Sequence, residues 1–159
     1  MADFRILKDA KPWFKDIYSK EEGLTIDFEV YYFCLMAGLA SGKKRGDLTT
    51  TETSELVQHF PGRYKEKGKI IVSLFLARYL ASLGVTLTDK KTAHNQISKL
   101  ISPTSPNYLS DEGMKELNKY AAAGYDEIIG WFEERPRTLE SFLRTFALKI
   151  DSQVQPINI

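Results

Sequence analysis

The residues whose types could carry chemistry are few and scattered. The chain holds one cysteine, Cys34, and two histidines, His59 and His94, far apart in sequence. Nothing has the short, regular ligand spacing of a zinc site. No Gly-x-x-x-x-Gly-Lys-Ser/Thr segment is present, so the backbone cradle of a P-loop is missing. Two acidic pairs stand out, Asp126-Glu127 and Glu133-Glu134. Adjacent helical residues point about 100° apart, so neither pair converges on one proton. Asp89-Lys90-Lys91 is an acid beside two amines, a combination used by nucleases, but no second acidic residue lies on a nearby strand. Cys34 sits in a strongly apolar helix and reads as core rather than nucleophile. His94, on a polar helix face, reads as solvated. The expectation is a protein that is not an enzyme, with no metal and no cofactor.

Charge is more informative than catalytic residue types. Between Lys43 and Lys69 there are seven cations, Lys43, Lys44, Arg45, Arg63, Lys65, Lys67 and Lys69, against four carboxylates. Between Ser110 and Glu140 the balance reverses, with eight carboxylates against four cations. The whole chain carries +1, so it is no polycation, and any nucleic-acid site must come from local clustering. The two basic clusters fall in a glycine-flanked loop, Gly42 to Asp47, and at the entrance to a helix. Backbone N–H groups at such an entrance also favour anions. Phosphate contact is one reading; a solvated loop or a patch for an acidic protein partner is the other.

These clusters must be positioned by helices. Ile70 to Leu83 is the most apolar run in the chain, and Gly84 closes it where a helix needs a left-handed residue. Only Ser73, Arg78 and Ser82 are clearly polar within it. A helix apolar nearly all round is a buried one, so this run is expected to be the central helix. Around it the spacing predicts a short first helix over Asp9 to Ser19, with Trp13, Phe14, Ile17 and Tyr18 on one face. Those aromatic residues would pack on the core or form a partner interface. A second helix over Ile26 to Leu39 follows, with Thr25 as N-cap. Thr49-Thr50-Thr51 would cap a short helix running through Phe60. Thr88-Asp89 would start a fifth helix, and Ser110 would cap a long one, where Gly124 marks close packing or a kink. Thr138 would start the last.

The fold class expected is all-α: a single compact multi-helix domain over residues 1–150, built around the helix at about 70–83, with a tail at 151–159. A chain of 159 residues can bury one real core. One cysteine precludes an intrachain disulfide, and the N-terminal residues lack the apolar stretch of a signal peptide. A cytoplasmic location without membrane attachment is therefore expected. Ile70 to Leu83 is too short to cross a bilayer, which needs about 20 apolar residues.

Several pieces fall in a suggestive order. Gly23-Leu24-Thr25 opens the helix carrying Cys34-Leu35. Gly62-Arg63-Tyr64 precedes the most apolar helix, which ends Leu83-Gly84. A late helix runs into a short leucine-rich segment between Tyr120 and Leu143. This order resembles the small helical DndE subunit of bacterial DNA sulfur-modification systems. The chain departs from that family at Ile26-Asp27, where Pro-Asn is usual, and at Ala121-Ala122-Ala123-Gly124, where a basic residue tends to precede the glycine. The resemblance implies a non-catalytic, oligomerising DNA-binding component that works beside other subunits of a modification or phage-defence assembly. On that reading Lys43, Lys44, Arg45, Arg63, Lys65, Lys67 and Lys69 contact DNA phosphates. The alternative is a helical adaptor that binds another protein and no nucleic acid.

Overall fold

The helical spacing is largely realised in a computed structural model that describes residues 2–18 and 27–157. In chain order the elements are β1 (Arg5–Leu7), α1 (Ala10–Phe14), a 3-10 turn (Lys15–Ile17), α2 (Asp27–Ser41), β2 (Thr53–Glu55), a second 3-10 turn (Gly62–Tyr64), α3 (Gly68–Ser82), α4 (Lys90–Leu100), α5 (Asp111–Trp131) and α6 (Leu139–Gln153). The described residues are thus mostly helical, with one two-stranded sheet. The expected cap at Thr25, the Gly23-Leu24-Thr25 triplet and the end of the first helix at Ser19 lie outside the described residues.

Contacts divide the chain into two units. The first is Met1–Phe4, Val57–Leu117 and Pro156–Ile159; the second is Arg5–Leu56 and Asn118–Gln155. The chain passes from one to the other within α5.

The second unit has an aromatic core. Phe142 sits at its centre, 5.3 Å from Phe14 and 5.1 Å from Phe33 between ring centroids, and stacked on Phe132. Trp13 meets the edges of Phe132 and Tyr125. Tyr18 donates a hydrogen bond to Asp27 at 2.9 Å. Phe14 is therefore part of the core, while Trp13 and Tyr18 are half-buried and pack at its edge. Of the helices in this unit, α2 is enclosed on most sides, with Val30, Tyr31, Cys34, Leu35 and Ala37 all buried. Gly38 of α2 and Gly124 of α5 face each other. A Cβ on Gly38 would strike the Tyr120 carbonyl, and one on Gly124 would strike the carbonyl of Cys34. Gly124 thus marks close helix packing. The Tyr31 hydroxyl donates to Asn118 Oδ1 at 2.8 Å, and the Arg5 backbone N–H donates to the same oxygen at 3.1 Å.

One expected helix is a strand instead. Thr49 and Glu52 form the reciprocal bonds of a capping box: Thr49 N–H to Glu52 Oε1 at 2.8 Å, and Glu52 N–H to Thr49 Oγ1 at 3.3 Å. The chain then turns into β2, antiparallel to β1, with Arg5 opposite Glu55 and Leu7 opposite Thr53. Arg5 Nε donates to Thr53 Oγ1 at 2.8 Å and so ties the pair across the sheet. A local helix-start signal was overruled by pairing with residues almost fifty positions away.

In the first unit, Phe4 meets Phe60 edge to face at 5.0 Å. Phe60 covers Gly68 at the start of α3. Asp89 caps α4, accepting from Thr92 N–H, and Ser110 Oγ accepts from Gly113 N–H at 3.0 Å. Gly84 ends α3 at φ +69 with paired bonds, Gly84 N–H to Ala81 and Val85 N–H to Leu80, the Schellman arrangement. The expectation of a helix buried all round is corrected here. Ile71, Val72, Phe75 and Leu80 are buried, but Ile70 is 63% and Leu74 47% exposed. The helix is apolar on two sides and the fold covers one.

Candidate nucleic-acid interface

The predicted cations fall into two groups, one in each unit. Lys43, Lys44 and Arg45 follow α2 in the second unit. Gly42 turns the chain at φ +69, and Lys43 N–H returns to the Gly38 carbonyl at 3.2 Å. The loop then runs along α5, where Arg45 N–H donates to the Lys119 carbonyl at 3.1 Å. Its side chains interlock with that helix. Arg45 makes a two-pronged contact with Asp126, Nε to Oδ2 and the guanidinium NH2 to Oδ1, both at 2.7 Å. Lys43 Nζ lies 2.7 Å from Glu127 Oε1, and Lys119 Nζ lies 3.1 Å from Asp47 Oδ1. Lys44 Nζ sits 5.9 Å from the centroid of the Tyr120 ring. Planar two-bond pairing of this kind is the strongest form of surface ion pair. It holds the Arg45 pKa above its ordinary value, the hydrogen bond to Asp126 outweighing partial burial.

This arrangement gives the acidic residues of α5 a role. Asp126 and Glu127 neither converge on a proton nor stand as a free acidic face; they hold the basic loop. Lys119, Asp126 and Glu127 lie seven and eight positions apart, two turns along one face of a helix.

Arg63, Lys65, Lys67 and Lys69 belong to the first unit. Tyr64 is buried and anchors the 3-10 turn, leaving its neighbours outside. Arg63, Lys65, Lys67 and Lys69 are all exposed. The Arg63 guanidinium lies 5.6 Å from the Tyr64 ring centroid, and Lys69 Nζ lies 5.9 Å from that of Tyr108. Among the described residues, Lys65, Lys67 and Lys69 have no carboxylate partner. Lys67 is the N-cap of α3 without a side-chain cap bond, and the first turn of α3 holds no acid. Cations at the positive end of a helix oppose its dipole, at a cost of about 0.3–1 kcal/mol each when exposed. A bound anion reverses that sign.

The remaining candidates take structural positions. Cys34 is buried, and desolvation pushes its thiol pKa well above the usual range, with the Asp126 charge adding to it. His59 and His94 are exposed, and Asp89 is a helix cap. Among the described residues no three His, Cys, Asp or Glu side chains are grouped to hold a metal ion. No helix among them is long and apolar enough to cross a membrane. The sequence reading missed the three ion pairs that tie the loop to α5, Lys43–Glu127, Arg45–Asp126 and Lys119–Asp47, and it missed Tyr108, whose backbone φ of 65 has no periodic signature. No family model matches the chain, and no curated protein or solved structure matches it.

Proposed function

We propose that this chain is a non-catalytic DNA-binding accessory subunit that grips phosphates through Arg63, Lys65, Lys67 and Lys69. The observation that carries the reading is four exposed cations in the segment from Arg63 to Lys69, whose one acid is Glu66, at the entrance of α3, where the first helical turn holds no acid and Lys67 makes no side-chain cap bond. A phosphate there gains from the side-chain charges and from the first N–H groups of the helix together. Lys43, Lys44 and Arg45 have a weaker claim. Two of the three are engaged by Glu127 and Asp126, and each would have to exchange a formed ion pair for a phosphate. Membership of a DNA-modification or phage-defence assembly, with other protein subunits and self-association, extends the reading along the resemblance to the DndE subunit.

The test is an electrophoretic mobility shift with duplex DNA at low salt. The double variant Lys65→Glu, Lys67→Glu should lose binding by about an order of magnitude or more, since each reversal removes a contact and adds repulsion. Lys115→Glu, a reversal of an exposed lysine on α5, should change little. Equal losses in the two variants would reduce the effect to overall charge.

The second reading is a protein adaptor, favoured by one observation. Ile70 and Leu74 on α3 stand exposed, as do Leu83 and Leu87 beyond it. Such side chains on a helix are available for a partner's apolar surface. Failure of the unmodified protein to bind DNA at low salt would favour it outright.

A further inference from the structure

We propose that Tyr108 is a stacking platform for an unpaired base of single-stranded DNA, with Lys69 swinging from the tyrosine ring to the neighbouring phosphate. The proposal rests on the DNA-binding reading above and adds a base contact that the first unit makes with a single strand and not with a duplex.

Three observations converge on this residue. The first is strain. Tyr108 is the one non-glycine residue at positive φ among those described, at 65°. Left-handed backbone is unfavourable for a bulky side chain, and such outliers concentrate where a ligand is clamped.

The second is how the strain is held. Asn107 is 0% exposed. Its Oδ1 accepts from Ser105 Oγ at 2.7 Å and from Leu109 N–H at 3.0 Å, while its Nδ2 donates to the Gln58 carbonyl at 2.8 Å. Tyr108 N–H donates to the Ser105 carbonyl, and Ser102 N–H donates to the Tyr108 carbonyl. The backbone is therefore fixed on both sides of the tyrosine. The side chain it presents is not consumed by the core. Tyr108 is only half-buried, and its hydroxyl makes no hydrogen bond to a described residue.

The third is what surrounds the ring. Phe60, itself buried, stacks with it at 6.3 Å and 26°, which backs and orients the ring. Lys69 Nζ lies 5.9 Å from the ring centroid. An ammonium over a half-exposed ring is weakly held, and the long stem of exposed Lys69 can rotate. A rigid aromatic ring beside a mobile cation is the pairing that single-strand binders use, one group for the base and one for its phosphate. Bases within a duplex are already stacked on one another and offer no open face, so this site separates single strand from duplex.

Fluorescence anisotropy with a labelled oligothymidine strand and with a duplex of equal length tests the assignment. Tyr108→Gly removes the ring while glycine adopts the required φ freely, so the loop is kept. It should weaken single-strand binding by about 5- to 150-fold, the range for losing one stacked base. Tyr108→Phe should bind the single strand like the unmodified protein, and duplex affinity should be unchanged in both variants. Thermal melting by circular dichroism checks the fold, and Tyr108→Leu, which retains apolar bulk without a π face, replaces the glycine variant if that one unfolds. Unmodified protein that binds single strand equally well with and without the ring would overturn the stacking site alone. A parallel fall for single strand and duplex would also overturn it, because the loop would then only position the lysines. Absence of any binding by the unmodified protein would remove the DNA-binding reading as well.

Discussion

Cys34 and Arg45 show how single side chains are committed by their surroundings. Burial first, and the charge of Asp126 second, push the Cys34 thiol above its usual range; burial does the same to the Tyr31 hydroxyl. A group raised in the folded state keeps a proton that the unfolded chain releases. Its stabilising contribution is whole below the unfolded pKa and is lost as pH rises beyond it. For a thiol that begins at about pH 8.5, for a tyrosine at about pH 10, with up to about 1.4 kcal/mol lost per pH unit and group. Urea midpoints should therefore hold near neutrality and fall steadily above about pH 9. Midpoints that stay flat into the alkaline range would mean these groups ionise as readily folded as unfolded. Arg45 offers a second check. A double-mutant cycle with Arg45→Ala and Asp126→Ala should give a coupling of about 0.5–1 kcal/mol, at the upper end for a partly exposed pair because the contact is two-pronged. Zero coupling in denaturant melts would contradict the geometry of the loop.

At the scale of elements, the close approach of α2 and α5 makes a sharp prediction from two glycines on one helix. Gly124→Ala places a methyl against the Cys34 carbonyl and should destabilise by about 1–3 kcal/mol or more, despite the better helix propensity of alanine. Gly130→Ala, near the end of the same helix with open space around it, should stabilise by up to about 1 kcal/mol. Thermal melts that moved in the same direction for both would refute the tight crossing. Helix α3 carries the corresponding contrast across its two sides. Phe75, fully buried, should cost about 3–5 kcal/mol as Phe75→Ala. Ile70→Ala, at a residue 63% exposed, should stay within about 0.5 kcal/mol. Similar losses at both sites would restore the picture of a helix enclosed all round.

For the molecule as a whole, a net charge of +1 leaves no global field to attract DNA. Any binding is local and should count contacts. If Arg63, Lys65, Lys67 and Lys69 each neutralise one phosphate of a duplex, log K against log salt should fall with a slope of about −3 to −4. A slope of about −6 would mean that the Lys43 to Arg45 loop contacts phosphates as well, its ion pairs exchanged for them. Affinity indifferent to salt would rule out phosphate contact as the basis of binding.

What the amino-acid order decided alone was local. The apolar runs placed α2, α3, α5 and α6, and Asp89, Ser110 and Thr138 serve as the caps their side chains suit. Gly84 ends α3 with the bonds expected of it. These features rest on residues within a few positions of one another, where helical geometry relates sequence spacing directly to contact. The candidate site was legible only as a list of charges. Arg45 and Asp126 are 81 positions apart, Lys43 and Glu127 are 84, and no periodicity links them. The strand at Thr53–Glu55 exists because Arg5–Leu7 comes beside it, and the covered side of α3 was unreadable in a helix whose sides are chemically alike. Tertiary structure decided those matters, because burial and ion pairing depend on which distant segments meet.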